Sequence, residues 1–155
     1  MVADRNVDVV ARTICGEARG CGFLDMVAVG AVIRERVLRP GWWGTDWETV
    51  CKKPFQFSCW NEGDPNREVI LRAEELCPDV WPLCVAAAHF TVNYMRDRDL
   101  HELFGTQGPF PTHYHARYIK PPSWTNGAIL VPVPWNSAHL FYANVQGSPP
   151  RRLGL

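Results

Sequence analysis

The segment from Asn6 to Ala18 places Val7, Val10, Ala11 and Ile14 at helical spacing, and the chain then runs into Gly16-Glu17-Ala18-Arg19-Gly20-Cys21-Gly22. Apolar residues recurring at three and four positions define one buried helical face. Glycines just beyond such a run favour a sharp end to the helix. The chain must therefore accommodate an amphipathic helix that ends on a single acid, Glu17. There the helix macrodipole disfavours negative charge, and apolar neighbours favour the neutral carboxyl. Both raise the pKa, as a general acid for glycoside chemistry requires. The plainer alternative is a solvated surface glutamate, or a partner for Arg12 or Arg19.

With 155 residues the sequence reads as one domain, 1–155, large enough to bury about two-thirds of its unfolded surface. Sixteen basic residues balance sixteen acidic ones, so no bulk field draws it to nucleic acid. A monomer is expected. The longest apolar run, Val80 to Met95, contains Pro82, His89, Thr91 and Asn93 and falls short of the roughly 20 residues that span a bilayer. It reads as a buried helix, with no membrane insertion. Met1 to Arg5 has no apolar core before its charges, which argues against a signal peptide. The six cysteines form no CxxC pair, which argues against a structural zinc site. Reduced thiols are the default, with a Cys51–Cys59 bridge as the alternative in an oxidising compartment.

A second helix is expected from about Leu24 to Leu38, stopping before Pro40-Gly41, then a tryptophan-rich connection through Trp42, Trp43 and Trp47. Asp46 is placed to cap one turn through Val50. Phe55 to Trp60 alternates aromatic and polar residues and predicts a strand, followed by turn formers at Asn61 to Asn66. Helices follow at about Arg67 to Leu76 and, capped by Asp79, at Val80 to Met95. Gly105 to Trp124 is rich in Gly, Pro and aromatics, and Pro121 to Pro150 contains no Asp, Glu, Lys or Arg. Within it Ile129 to Val133 and His139 to Tyr142 read as strands. The pattern is that of an α+β domain: mostly helical, with a small β-hairpin unit and an irregular aromatic C-terminal part.

Three groups of residues are candidates to converge on Glu17: Gln56, Ser58, Trp60 and Asn61; His113, Tyr114, His115 and Trp124; and Trp42, Trp43 and Trp47. Polar side chains beside aromatic faces suit a sugar polymer, although about half of the tryptophans should serve packing.

Ala11 to Gly20 followed by Val27 to Val37, the block Thr49 to Asn61 with its Gln56-Phe57-Ser58, and the late segments Thr112 to His115 and Ser137 to Tyr142 together resemble the spore cortex-lytic, cell wall hydrolase family. The resemblance spans nearly the whole chain. It implies a lysozyme-like fold that cleaves the β-1,4 bond between N-acetylmuramic acid and N-acetylglucosamine of peptidoglycan glycan strands, with Glu17 as catalytic acid; no cofactor or metal is expected. Two positions depart from the family pattern, Cys15 where Tyr is common and Cys21 where an acid is common. Gln56, Ser58, Trp60, Asn61, His113, Tyr114, His115 and Trp124 are the expected substrate contacts.

A hydrolytic muramidase needs two carboxylates, and only Glu48, Glu62 and Asp64 near the Gln-Phe-Ser block offer a second. A lytic transglycosylase needs one group that serves as acid and then base, because the sugar's own 6-hydroxyl attacks intramolecularly. The transglycosylase is the preferred reading. Its rivals are a zinc-dependent amidase or peptidase using His113, His115 and His139, and a non-catalytic wall-binding module. Lacking an evident export signal, the enzyme would reach the wall as an endolysin does, through a phage holin, or by an unusual bacterial route.

Overall fold

A computed structural model describes residues 4–152. Helix α1 (Arg5–Ala18) opens on Asp4, whose side chain accepts from the backbone N–H groups of Asn6 and Val7. This N-cap satisfies two of the orphan donors of the first turn. Helix α2 (Phe23–Leu38) is buried along most of its length, and α1 packs on it and on α6 (Trp81–Asn93). Around this trio lie α3 (Trp47–Lys52), α4 (Pro65–Leu71), α5 (Ala73–Leu76) and α7 (Asp97–Phe104). Asp46 caps α3 as the sequence predicts, and Thr49 returns the bond to complete a reciprocal capping box that is not expected from the sequence. Among the described residues no helix is long and apolar enough to cross a membrane.

A three-stranded antiparallel sheet holds β1 (His113–Ala116), β2 (Ile129–Val131) and β3 (His139–Ala143), in the order β1-β3-β2. The architecture is mostly helical α+β. Tyr114 lies opposite Phe141, and Ala116 opposite His139. Because directly opposed residues share a face, Tyr114, His139 and Phe141 stand on one side of the sheet, and His113 and His115 on the other.

Several expectations are corrected. Phe55 to Trp60 is not a strand: Phe55 adopts a left-handed conformation (φ 66°) and Ser58–Trp60 forms a 3-10 turn. The apolar alternation does bury Phe57 and Cys59, but among the described residues no second segment pairs with this backbone, and Asn61 Oδ1 accepts from Phe55 N at 3.0 Å to close the loop. The expected helix from Arg67 to Leu76 begins earlier, with Pro65 in its first turn, and breaks at Arg72 into α4 and α5. Helix α6 starts at Trp81 without a side-chain cap, so Asp79 does not cap it. Strand β2 stops at Val131, before Pro132, which has no N–H to give a ladder. Cys51 and Cys59 are buried free thiols with no bridge between them.

Candidate active site

Glu17 sits in the last turn of α1, partly buried. Helix α1 ends at Ala18 with Arg19 still in helical conformation. The Tyr114 hydroxyl donates to Glu17 Oε1 from β1, and the Cys59 thiol of the 3-10 turn lies near enough to favour the ionised carboxyl. Burial pushes the Glu17 pKa above its ordinary value, against the Tyr114 hydrogen bond, the Cys59 thiol and the nearby Arg36 charge, while Asp64 adds to the rise. Burial likewise drives the Tyr114 hydroxyl well above its usual range, so it stays a proton donor to Glu17.

Gly16 explains how the 3-10 turn comes so near. A Cβ there would stand 2.6 Å from both Cβ and Sγ of Cys59 and 3.2 Å from Ile70 Cγ2. Gly16→Ala is expected to destabilise the protein. Overpacking of this kind costs about 1–3 kcal/mol, more than the gain of up to about 1 kcal/mol from better helix propensity. Thermal melting checks the direction, and lytic activity should fall with it as Cys59 is pushed from Glu17.

Arg36 is the residue that sequence reasoning missed. It is 7 % exposed, donates from Nε to Thr112 O at 2.7 Å, and holds its guanidinium over the rings of Trp43 (5.3 Å) and Phe57 (5.2 Å). Burial lowers its pKa to about 10, so it remains charged at neutral pH. Its side chain joins Tyr114 and Gln56 in lining a cleft of about 350 Å³ whose walls include Trp42, His113 and Trp124. Lys53, Pro54 and Phe55 complete the lining, and the same Trp42, Lys53 and Pro54 also border a second hollow along α3. Glu17 does not itself line this groove; the hydrogen bond from Tyr114, which does, places the carboxyl directly behind the cleft wall. The surface is aromatic and polar in alternation, which suits a pyranose ring with its apolar faces and hydroxylated edges.

The cell wall hydrolase profile matches residues 20–142, from just after Glu17 to Tyr142 in β3. The chain belongs to the cell wall hydrolase family. Comparisons with curated proteins and with solved structures return no significant match. As a cell wall hydrolase the protein is a peptidoglycan-acting enzyme.

Within the hydrolase, the expected site residues separate into two groups. Gln56, His113, Tyr114 and Trp124 line the cleft. Gln56 is also a brace, because Nε2 donates to Trp43 O (3.1 Å) and Val50 O (2.8 Å). His113 packs edge-on against Trp43 and beside Trp124, and burial with the Arg36 charge lowers its pKa to about 4, leaving it neutral. His115 is buried behind it, stacked on Tyr142 with Nε2 3.1 Å from the Tyr142 hydroxyl. It supports the aromatic wall and does not line the cleft.

Trp60 is turned away: its Nε1 donates to Thr13 Oγ1 at 2.8 Å and it lines a separate hollow with Arg5 and Glu48. Ser58 is exposed on the 3-10 turn, and Asn61 braces the loop. Trp43 is fully buried with its indole N–H on the Arg36 and Arg39 carbonyls, and Trp47 packs on the core, whereas Trp42 is 57 % exposed in the cleft wall. The three histidines of the zinc reading do not converge, since His139 lies on the opposite sheet face from His113 and His115.

Proposed function

We propose that Glu17 is the general acid and then the general base of a lytic transglycosylase that cleaves the β-1,4 bond between N-acetylmuramic acid and N-acetylglucosamine. The supporting observation is one buried carboxyl of raised pKa, held by Tyr114, which itself lines an aromatic and polar cleft. Protonated Glu17 gives its proton to the glycosidic oxygen as the bond to the muramic C1 breaks. The resulting carboxylate takes the proton of the 6-hydroxyl as O6 bonds to C1, which closes the 1,6-anhydro ring and regenerates the acid. Tyr114 occupies Oε1, so Oε2 is the oxygen that carries the proton. Arg36 stabilises the carboxylate between the two transfers. Trp42, His113 and Trp124 supply the faces on which sugar rings pack, and Gln56 supplies a polar edge.

A hydrolytic muramidase is the second reading, and one observation favours it: the Asp64 charge reaches Glu17. Asp64 is, however, the N-cap of α4, accepting from Asn66 N at 2.8 Å. Glu48 pairs with Lys52 and Arg5, and Glu62 is exposed. The deciding experiment is mass spectrometry of purified peptidoglycan digested with the wild-type enzyme. Products ending in 1,6-anhydro-N-acetylmuramic acid, one water lighter than hydrolytic products, are expected. Hydrated reducing ends would overturn the transglycosylase reading and turn attention to Asp64.

A further inference from the structure

A second cluster lies at the corner between α1 and α2, outside the cleft lining. Cys21, Asp25 and His139 each present one atom of metal-ligating type, and these atoms lie within 4.8 Å of one another. Asp25 is 2 % exposed and His139 7 %. Asp25 Oδ1 accepts from Trp135 Nε1 at 2.8 Å and from the Ser137 hydroxyl, and Oδ2 accepts from Ala138 N at 2.9 Å. These donors fix the carboxylate plane and leave Oδ2 one lone pair. His139 Nδ1 stands 3.4 Å from Oδ2, a long pairing with Asp25, is sealed from solvent and makes no well-formed hydrogen bond among the described residues. A buried nitrogen paired only at this distance is incompletely satisfied, and a cation held between it and the Asp25 carboxylate would satisfy both.

We propose that Cys21 Sγ, Asp25 Oδ2 and His139 Nδ1 bind one zinc ion, with water as the fourth ligand. Thiolate, carboxylate and imidazole are the three protein donors zinc accepts, and bonds of about 2.0 Å at a tetrahedral angle put nitrogen and oxygen roughly 3.3 Å apart. The observed separation of 3.4 Å fits that edge. The hydrogen bonds on Asp25 are the kind of outer support that orients a metal-bound carboxylate. Binding displaces the Cys21 thiol proton into solvent. Such an ion ties β3 to Asp25 in the first turn of α2 and to Cys21, four residues beyond Glu17. The His139 ring lies edge-on to Tyr114, with centroids 5.0 Å apart, so the site would hold the tyrosine that holds Glu17.

The test is titration of the whole, reduced protein with cobalt(II), followed by competition with zinc. Wild type is expected to take one cobalt per chain, with a thiolate-to-metal charge-transfer band and intense tetrahedral d–d bands that zinc abolishes. Cys21→Ser should lose the charge-transfer band and bind at least about tenfold more weakly, and zinc should raise the Tm of wild type and not of this variant. Cys21 is partly exposed and serine is close in size, so circular dichroism is expected to show the variant folded. His139→Gln gives a second check. Glu17→Gln should bind cobalt as wild type does, which separates this proposal from the catalytic one. A folded wild-type protein that takes no cobalt, or a Cys21→Ser variant with the wild-type spectrum, would overturn it.

Discussion

Replacing Glu17 with Gln is expected to lower peptidoglycan lysis by about 10²- to 10⁴-fold, the range for loss of a general acid, in a protein that remains folded. The amide keeps the shape of the side chain and an oxygen for the Tyr114 hydroxyl to donate to. Because burial raises the Glu17 pKa, the native state keeps a proton over a pH interval in which the unfolded chain has released it. Stability falls as pH rises through that interval. Glu17→Gln removes this loss, so its Tm should match or exceed that of wild type at neutral pH, with a gap that widens from the ordinary carboxylate range upward. The wild-type rate should fall on the alkaline side only above that range, as the acid loses its proton. Turbidity assays on purified walls and melts across pH read both effects. A folded Gln variant with the wild-type lytic rate would remove Glu17 from the mechanism.

What the sequence reveals follows from the range of the forces involved. Helices α1 and α2 are legible because their apolar periodicity and flanking breakers are local. Glu17 is legible as a candidate because its place at a helix end is local too. Phe55 to Trp60 misleads because alternation reports which side chains are buried, and a strand also needs a partner backbone, which is a property of distant chain. Helix α7 is overlooked in the charged run Asp97 to Glu102, although its signals are present: Leu100 and Phe104 one turn apart and both buried, Asp99 accepting from Arg96 N, and Gly105 left-handed at its end. Tyr114 can be named from sequence, but its contact with Glu17 arises only when β1 pairs with β3. His113 and His115 share a face as HxH spacing requires, yet one lines the cleft and the other is sealed behind it. The grouping of Cys21, Asp25 and His139 joins residues more than a hundred positions apart, which no spacing rule reaches.

Arg36 is the sharpest case, because near the end of α2 it reads as an ordinary cation favourable to the helix dipole. Burial lowers its pKa from 12.5 to about 10, so keeping it charged costs about 3 kcal/mol. Arg36→Met relieves that cost. It also loses the hydrogen bond to Thr112 O, leaving a buried carbonyl at about 1–3 kcal/mol, and the contacts over Trp43 and Phe57, worth about 1–2 kcal/mol each when desolvated. These terms oppose one another at similar size, so the net change in stability should be small. The activity should not be spared. Arg36 favours the ionised form of Glu17, and a charge interaction of about 1–3 kcal/mol at such a site corresponds to a roughly 5- to 150-fold change in rate. With the arginine gone, Glu17 holds its proton more tightly and gives it to the glycosidic oxygen more slowly. Arg36→Met should therefore lower lysis at neutral pH, move the alkaline limb of the pH profile upward, and leave the Tm within a few degrees, about what 1 kcal/mol produces in a chain of this size. An unshifted limb with a collapsed Tm would make Arg36 a structural residue only. A shifted limb at a retained Tm would mean that the fold keeps a buried charge, at a cost to its own stability, to tune the proton on Glu17.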